Sequence, residues 1–296
     1  MSAVRDQGSK VISDGELRIM LLQYRAENWR GIQTAEQQQR VVEDILSARG
    51  DEVLLRIAHF WPLPSNAQIL DIGSGVGSFV VACRQRGLQA FGIEPDRIGQ
   101  DGGLTAIQIA SRRLAERPFV AGVGEHLPFP DRIFDLVVMN QVIEHVSDQL
   151  AVLREATRVL KQRGAVYLAC PNYLRFYEPH YKIMWFPLLP KSLGRLYLQT
   201  RGRSPVMLNQ LTYTTNRRLR RMIEELGSGY LLIDMNREQF LTKASKGSFA
   251  SIPARLVQRL IRLPVIGKLV LAVVLLFLQL REGGSEMLLI SQSDGR

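Results

Sequence analysis

The sequence predicts an α/β fold built on a doubly wound, mostly parallel sheet of seven strands, and three observations carry that expectation. Short apolar runs at 69–72, 90–93, 134–139 and 165–169 alternate with stretches of helical spacing, the pattern of strands joined by right-handed crossovers. The run at 134–139 is continuous, as befits a strand covered on both faces. Gly73, Gly75 and Gly77 stop the first run just before the helical pattern Phe79, Val80, Val81, Ala82, which makes a strand, a glycine turn and a helix. With 296 residues, 46% hydrophobic and 22% charged, the chain can build one large or two small domains, and nothing predicts wholesale disorder.

Residues 1–10 read as a loose tail. Asp14 is a candidate N-cap for a helix carrying Leu17, Ile19, Met20, Leu21 and Leu22. Thr34, with Gln37 three places on, forms a capping box for a second helix, whose Val41, Val42, Ile45 and Leu46 share one face. Pro62 and Pro64 close this N-terminal extension, 1–64, and introduce the core, 65–172. After the glycine turn and the second strand come a helix over 103–116, a third strand over 119–123 and a turn at Pro128-Phe129-Pro130-Asp131. The fourth strand follows, then a helix over 148–160 and a fifth strand that Gly164 opens and Pro171 stops. An insertion at 173–211 is rich in aromatic and basic residues. The core resumes over 212–235 with a helix at 215–226, whose Arg217, Arg218, Arg220 and Arg221 face outward, and a strand at 229–235. A second insertion, 236–284, precedes the final segment, 285–296, with its strand at 286–291.

The glycine loop and the acid after the second strand define a ligand. Glycine lets the loop take positive φ and lets a ligand approach the backbone closely. Glu94 stands where a carboxylate accepts both ribose hydroxyls of an adenosine lying across the strand tips. Asp71, at the end of the first strand, offers a negative group to a cationic amino-acid moiety, and Ser78 stands where a dinucleotide pattern wants its third glycine. Both points favour S-adenosylmethionine over NAD.

As a set, Leu-Asp-Ile-Gly-Ser-Gly-Val-Gly, Gly-Ile-Glu-Pro-Asp, Gly-Glu-His-Leu-Pro-Phe-Pro-Asp, Phe-Asp-Leu-Val and Val-Ile-Glu-His-Val resemble the class I S-adenosylmethionine-dependent methyltransferases. The likeness is to the branch that includes quinone-biosynthesis C-methyltransferases and many small-molecule and glycan O-methyltransferases, and it runs over 69–172. It implies a Rossmann-like fold, N-terminal helices acting as a lid over the substrate mouth, and an acceptor pocket shaped by the insertion after the fifth strand. It implies cofactor contacts from Asp71, Gly73, Ser74, Gly75, Gly77 and Glu94. The family often places an acid after the glycine of the third strand, where this chain has Val123. Glu125, with the backbone of His126 and Leu127, is therefore expected to hold the adenine edge. Asn140 and Gln141, at the tip of the fourth strand, are expected to face the methionine end of the cofactor.

A hydroxyl acceptor needs a base, and the chain has four histidines. His145, after the fourth strand, and His180, in the first insertion, are the candidates. His126 is expected to support the adenine, His59 to be structural. The competing reading of Glu144-His145 is a helix cap that closes the pocket wall. Cys83 and Cys170 show no zinc or disulfide spacing and fit a reducing cytosol, no metal centre is expected, and Cys170 reads as a small core residue rather than a nucleophile. The fourth strand ends in Asn-Gln-Val-Ile, unlike the tip of adenine-amino methyltransferases, so no nucleic-acid partner is expected.

A net charge of +10 calls for some anionic partner, and no secretory signal is visible. In the second insertion Arg255, Arg259 and Arg262 share one helical face and Leu256, Val257, Leu260 and Ile261 the other, and 269–280 is almost wholly apolar. That apolar run is roughly 18 Å long as a helix against a hydrocarbon core of ~30 Å. It is therefore expected to dip into one leaflet as a helical hairpin, or to form a core or dimer-interface helix pair. Together these points predict a cytoplasmic methyltransferase, peripheral on the inner face of the membrane, that acts on a hydroxyl of a lipid-linked glycan or lipid-soluble acceptor. A soluble small-molecule O- or C-methyltransferase and a membrane-associated binding module without turnover are the alternatives.

Overall fold

The computed structural model describes residues 11–28, 35–46, 49–95, 105–246 and 284–292. Its helices and strands run α1(Asp14–Asn28), α2(Ala35–Leu46), α3(Arg49–Phe60), β1(Gln68–Ile72), α4(Ser78–Gln85), β2(Gln89–Glu94), α5(Ala106–Ser111), β3(Phe119–Ala121), β4(Phe134–Asn140), α6(Gln149–Arg158) and β5(Leu160–Pro171). They continue β6(Tyr177–Glu178), β7(Ile183–Met184), α7(Lys191–Thr200), α8(Val206–Gln210), α9(Asn216–Glu224), β8(Tyr230–Asp234), α10(Met235–Lys246) and β9(Gly284–Ser291). The main sheet has seven strands in the order β3-β2-β1-β4-β5-β9-β8, and β6 and β7 form a separate hairpin. β1 runs parallel to β2 and β4, and β2 to β3, whereas β9 is antiparallel to both β5 and β8. The expected doubly wound, mostly parallel α/β sheet is thus observed.

The chain forms two compact units, one from the residues up to Met139 with Arg154–Gly164, the other from Asn140–Leu153 with the residues from Ala165 on. In the first, β1 and β4 are apolar nearly throughout because both faces are covered, with Ile69, Leu70, Leu136, Val137, Val138 and Met139 sealed from solvent. Asp135 ties the strand beginnings together, its Oδ2 accepting from the Gln68 N–H (2.8 Å) and from Lys161 Nζ (2.9 Å). The chain order reverses between β1 and β4, whose register ends with Ile72 beside Met139. That switch point is where open α/β sheets place their ligands.

The N-terminal helices pack on this unit. Leu17 and Leu21 of α1, Val42 of α2 and Ile109 of α5 form one buried cluster, against which Val76 of the glycine loop also packs. Ser13, one residue before the expected Asp14, caps α1: its N–H donates to Glu16 Oε2 (2.8 Å) and its Oγ accepts from the Glu16 N–H (3.3 Å). The Thr34 box lies outside the described residues. α3 was not anticipated, although Leu54 and Ile57 are buried at helical spacing. α5 begins at the expected region but ends at Ser111, with Thr105 and Gln108 forming its capping box.

In the second unit, Thr215 caps α9, whose Leu219, Met222 and Ile223 face inward while Arg217, Arg218 and Arg221 are exposed. Arg220 instead reaches Asp234 (2.9 Å). The insertion after β5 has a core of its own. Trp185, Tyr181, Leu198 and Leu208 are buried, and α7 comes so close to Trp185 at Gly194 that a Cβ there would lie 2.9 Å from its ring. The Tyr181 hydroxyl donates to the Ser204 carbonyl (2.9 Å) and accepts from the Leu208 N–H (3.0 Å), which fixes α8 to the hairpin. The second insertion opens with α10, and its basic helix and apolar run lie outside the described residues. Among the described residues, no helix is long and apolar enough to cross a membrane.

Candidate functional site

The first unit supplies the glycine loop. Gly73, Gly75 and Gly77 all take positive φ, which only glycine adopts cheaply. At Gly77 (φ +80°) the need is also steric, since a Cβ would stand 2.6 Å from the Phe119 ring. At Gly75 nothing lies within 4 Å of that position, so the loop is open to a ligand there. The Gly75 N–H donates to Glu94 Oε2 (2.9 Å), which sets the β2 carboxylate beside the loop. Asp71 is 4% exposed, and burial, reinforced by the charge of Glu94, holds its carboxyl well above the usual range. Ser74 Oγ is buried without a hydrogen-bond partner. A buried acid waiting for a positive charge, an unpartnered hydroxyl and an open glycine turn beside a second carboxylate fit a nucleoside with a cationic tail, as S-adenosylmethionine is.

Arg113 escaped the sequence reading. Its Nη1 donates to the Val76 carbonyl (2.8 Å) and to Ser78 Oγ (3.1 Å), so it holds the loop from behind. An arginine at the end of a helix gives no signal of such a role unless the fold is known.

The turn expected to meet the adenine is held by its own hydrogen bonds. The Leu127 N–H donates to Glu155 Oε2 (2.7 Å) and its carbonyl accepts from Arg158 Nη2 (3.1 Å), while the His126 N–H donates to the Val123 carbonyl (3.2 Å). Both amide N–H groups thus have partners in the free protein, one within the turn and one on α6. Glu125 is half-buried in the same turn.

In the second unit, Asn140 and Gln141 are both exposed at the tip of β4. Gln141 has φ +60° and donates its N–H to the Ala169 carbonyl (2.7 Å), a conformation that non-glycine residues adopt at a cost and that clusters at functional sites. The next residues form a pinned turn: the His145 N–H donates to the Val142 carbonyl (2.8 Å), Gln149 Nε2 to the Ile143 carbonyl (2.7 Å), and the Thr212 N–H to the Glu144 carbonyl (2.7 Å). His145 and His180 come together, their ring centroids 5.1 Å apart and their planes at 88°. His180 Nδ1 lies 2.7 Å from Glu178 Oε1, and Glu178, fully buried, also accepts from the Tyr181 N–H (2.6 Å) and the Tyr173 hydroxyl (3.3 Å). Glu144 is fully buried, and burial pushes its carboxyl up to about 7. Neither of its oxygens has a hydrogen-bond partner, and Oε1 is 4.0 Å from His145 Nε2. Glu178 was not read as a site residue, although Glu-Pro-His in an aromatic insertion is a signal that could have found it. Cys170 is buried, its thiol pushed up to about 12 by burial, with Thr214 Oγ1 at 3.6 Å, which suits a core residue and no nucleophile.

Comparison with known proteins gives the class first. The family described as a methyltransferase domain matches residues 70–168, which contain the glycine loop, Glu94 and the Glu144-His145 turn. The likeness to class I methyltransferases read from the sequence is therefore borne out. More particular relatives follow. A ubiquinone/menaquinone biosynthesis C-methyltransferase of Xanthomonas campestris is 33% identical over 138 residues, 44% of this chain and 53% of that protein. A demethylmenaquinone methyltransferase of Thermotoga maritima is 29% identical over 151 residues, 49% of this chain and 64% of that protein. The chain thus spans about half the length of the curated relatives it matches. Among solved structures, phosphoethanolamine N-methyltransferase 2 of Haemonchus contortus, in complex with S-adenosyl-L-methionine, is similar at 15% identity and a TM-score of 0.47, over 82% of this chain and 53% of that one.

Proposed function

We propose that this protein is an S-adenosylmethionine-dependent methyltransferase acting on a hydroxyl of a lipid-soluble or lipid-linked acceptor at a membrane surface. The observation that carries the transferase half is the array at the tips of β1 and β2, where Asp71, Gly73, Ser74, Gly75, Gly77 and Glu94 meet and the Gly75 N–H holds the Glu94 carboxylate in place. Glu94 would accept the ribose hydroxyls and Asp71 would face the cationic tail. Glu125, the backbone of His126 and Leu127, Asn140 and Gln141 are proposed as further contacts.

When bound, the cofactor supplies a methyl group on a sulfonium, already activated for displacement. What the chain must add is alignment, exclusion of water and a way to loosen the acceptor's proton. His145 and His180 are the groups proposed to act there. Glu178 accepts from Nδ1–H of His180, which fixes the ring and turns the basic Nε2 the other way.

Two features support the membrane and the lipid-soluble acceptor. The insertion at 173–211 exposes Phe176, Met184, Phe186, Leu193, Leu196 and Val206, each more than half exposed. Among its charged residues are six cations, Arg175, Lys182, Lys191, Arg195, Arg201 and Arg203, while the one acid, Glu178, is buried. Apolar side chains set among an excess of basic residues match an anionic lipid surface. The two relatives named for quinone biosynthesis point to a lipid-soluble molecule. A cytoplasmic, inner-face location goes with this reading.

Calorimetry with S-adenosylmethionine tests the first half. Micromolar binding by the wild-type chain and its loss in Glu94→Ala are expected. A folded wild type that does not bind would sink the transferase reading in favour of a binding module that keeps the fold.

A further inference from the structure

We propose that Glu144, His145 and His180 form a binding site for a divalent first-row transition-metal ion. One ligand atom from each lies within 4.8 Å of the others. The site is therefore assembled from the turn after β4 and the loop between β6 and β7, stretches far apart in sequence. That dispersal is why spacing rules for metal motifs, which look for ligands close together, give no sign of it.

Three observations point to a cation rather than to a chance meeting of polar groups. First, Glu144 is completely buried, yet neither carboxylate oxygen has a hydrogen-bond partner. Such a group is costly unless something positive or proton-donating reaches it, and a metal ion supplies that charge from the side on which His145 stands. Second, His180 is held as metal-binding histidines generally are. One ring nitrogen is taken by a buried carboxylate, Glu178 Oε1 at 2.7 Å, so Nε2 is left as the ligand atom. Glu178 is itself fixed by the Tyr181 N–H and the Tyr173 hydroxyl, so this support is built in depth. Third, the two imidazoles stand edge to face at 88°, and His145 is 38% exposed at its side chain while His180 is 10% exposed. The partly open histidine gives an ion a way in.

The donor set selects the ion class. Two imidazoles and one carboxylate suit Zn²⁺, Co²⁺, Mn²⁺ or Fe²⁺, whereas Ca²⁺ and Mg²⁺ prefer an all-oxygen shell. Bonds of about 2.0–2.2 Å to one ion bring tetrahedral ligands to roughly 3.4 Å of one another, so the present spacing closes by about an ångström of side-chain rotation. Three protein ligands leave at least one position open. On the proposed function, that position takes the acceptor's hydroxyl oxygen: the O–H bond breaks, the proton passes to solvent, and the oxygen keeps the electron pair while bound to the ion. In the loaded site the histidines serve as ligands rather than as bases. Only this last use rests on the methyltransferase reading, and the ion site itself stands on the three side chains.

The test is a Co²⁺ titration of the full chain, free of any polyhistidine tag and dialysed against chelator, followed by visible absorption and by metal content. One cobalt per chain with ligand-field bands is expected. Glu144→Gln, His145→Ala and His180→Ala should each weaken binding by more than 100-fold, and Glu178→Gln by about 10- to 100-fold, because it only positions His180. Circular dichroism establishes that each variant is folded, and calorimetry with S-adenosylmethionine on the same samples keeps the two readings apart. Cobalt binding without cofactor binding leaves the ion site standing and removes the transferase reading. A folded chain that takes up no Co²⁺, or folded variants that all bind it as tightly as wild type, would overturn the proposal.

Discussion

Asp71 shows how one residue's environment constrains what can bind. Burial and the neighbouring Glu94 charge raise its carboxyl well above the ordinary value near 3.8, so in the free protein it keeps its proton further up the pH scale than an exposed aspartate does. A cationic ligand favours the carboxylate and drives that proton off. Binding of S-adenosylmethionine should therefore release a proton, and affinity should rise as pH increases through the titration of Asp71. Calorimetry in buffers of different ionisation enthalpy reads the proton directly. Asp71→Asn should bind more weakly at high pH and show no slope, and wild-type binding without proton exchange would remove Asp71 from the site.

At the scale of elements, close backbone approach decides where helices can go. Gly50 lets the start of α3 rest against the start of α4, and a Cβ there would stand 2.5 Å from the Ser78 carbonyl oxygen and 2.9 Å from Phe79 Cα. Both are backbone atoms immediately after the glycine loop, so neither side can yield without moving the loop. Gly50→Ala should cost about 1–2 kcal/mol despite alanine's better helix propensity, measured as a lower urea midpoint. Unchanged stability would mean that α3 can slide.

The core strands were legible because continuous apolar runs and punctuating glycines and prolines agree with the final packing. β1, β2 and β4 fall within a residue of their expected bounds. α3 was not legible, since its period is carried by few residues beside a tryptophan-proline stop. At the site, Gly73, Gly75, Gly77 and Glu94 could be read because their chemistry is local to one loop and one strand end. Glu178 behind His180, Arg113 behind the loop and the Leu127 amide on Glu155 depend on tertiary partners that no spacing encodes.

On the scale of the whole molecule, charge and exposed apolar surface are the features left to explain. On α7, Leu193 and Leu196 are 54% and 59% exposed, whereas Gly194 and Leu198 on the opposite side are buried. The full chain should float with vesicles that contain phosphatidylglycerol and much less with phosphatidylcholine alone, and added salt should weaken the association. Replacing Leu193 and Leu196 by Glu together should reduce flotation, while circular dichroism stays unchanged because both side chains point outward. Equal flotation of the variant would move membrane contact elsewhere, including the Arg255, Arg259 and Arg262 stretch outside the described residues.

The division into two compact units also has a consequence for taking the protein apart. The first unit is not one stretch of chain: the chain leaves it at Met139, returns for Arg154–Gly164 and leaves again. That short return carries Lys161, which meets Asp135, and Arg158, which donates to the carbonyls of Phe129 and Leu127 (2.9 and 3.1 Å). A fragment cut after Met139 would keep the whole glycine loop and still lack the return strand that clips the ends of its own sheet. The half that carries the glycine loop is therefore not a module that can be excised, fused or swapped at a single cut, because the polypeptide is stitched through it twice.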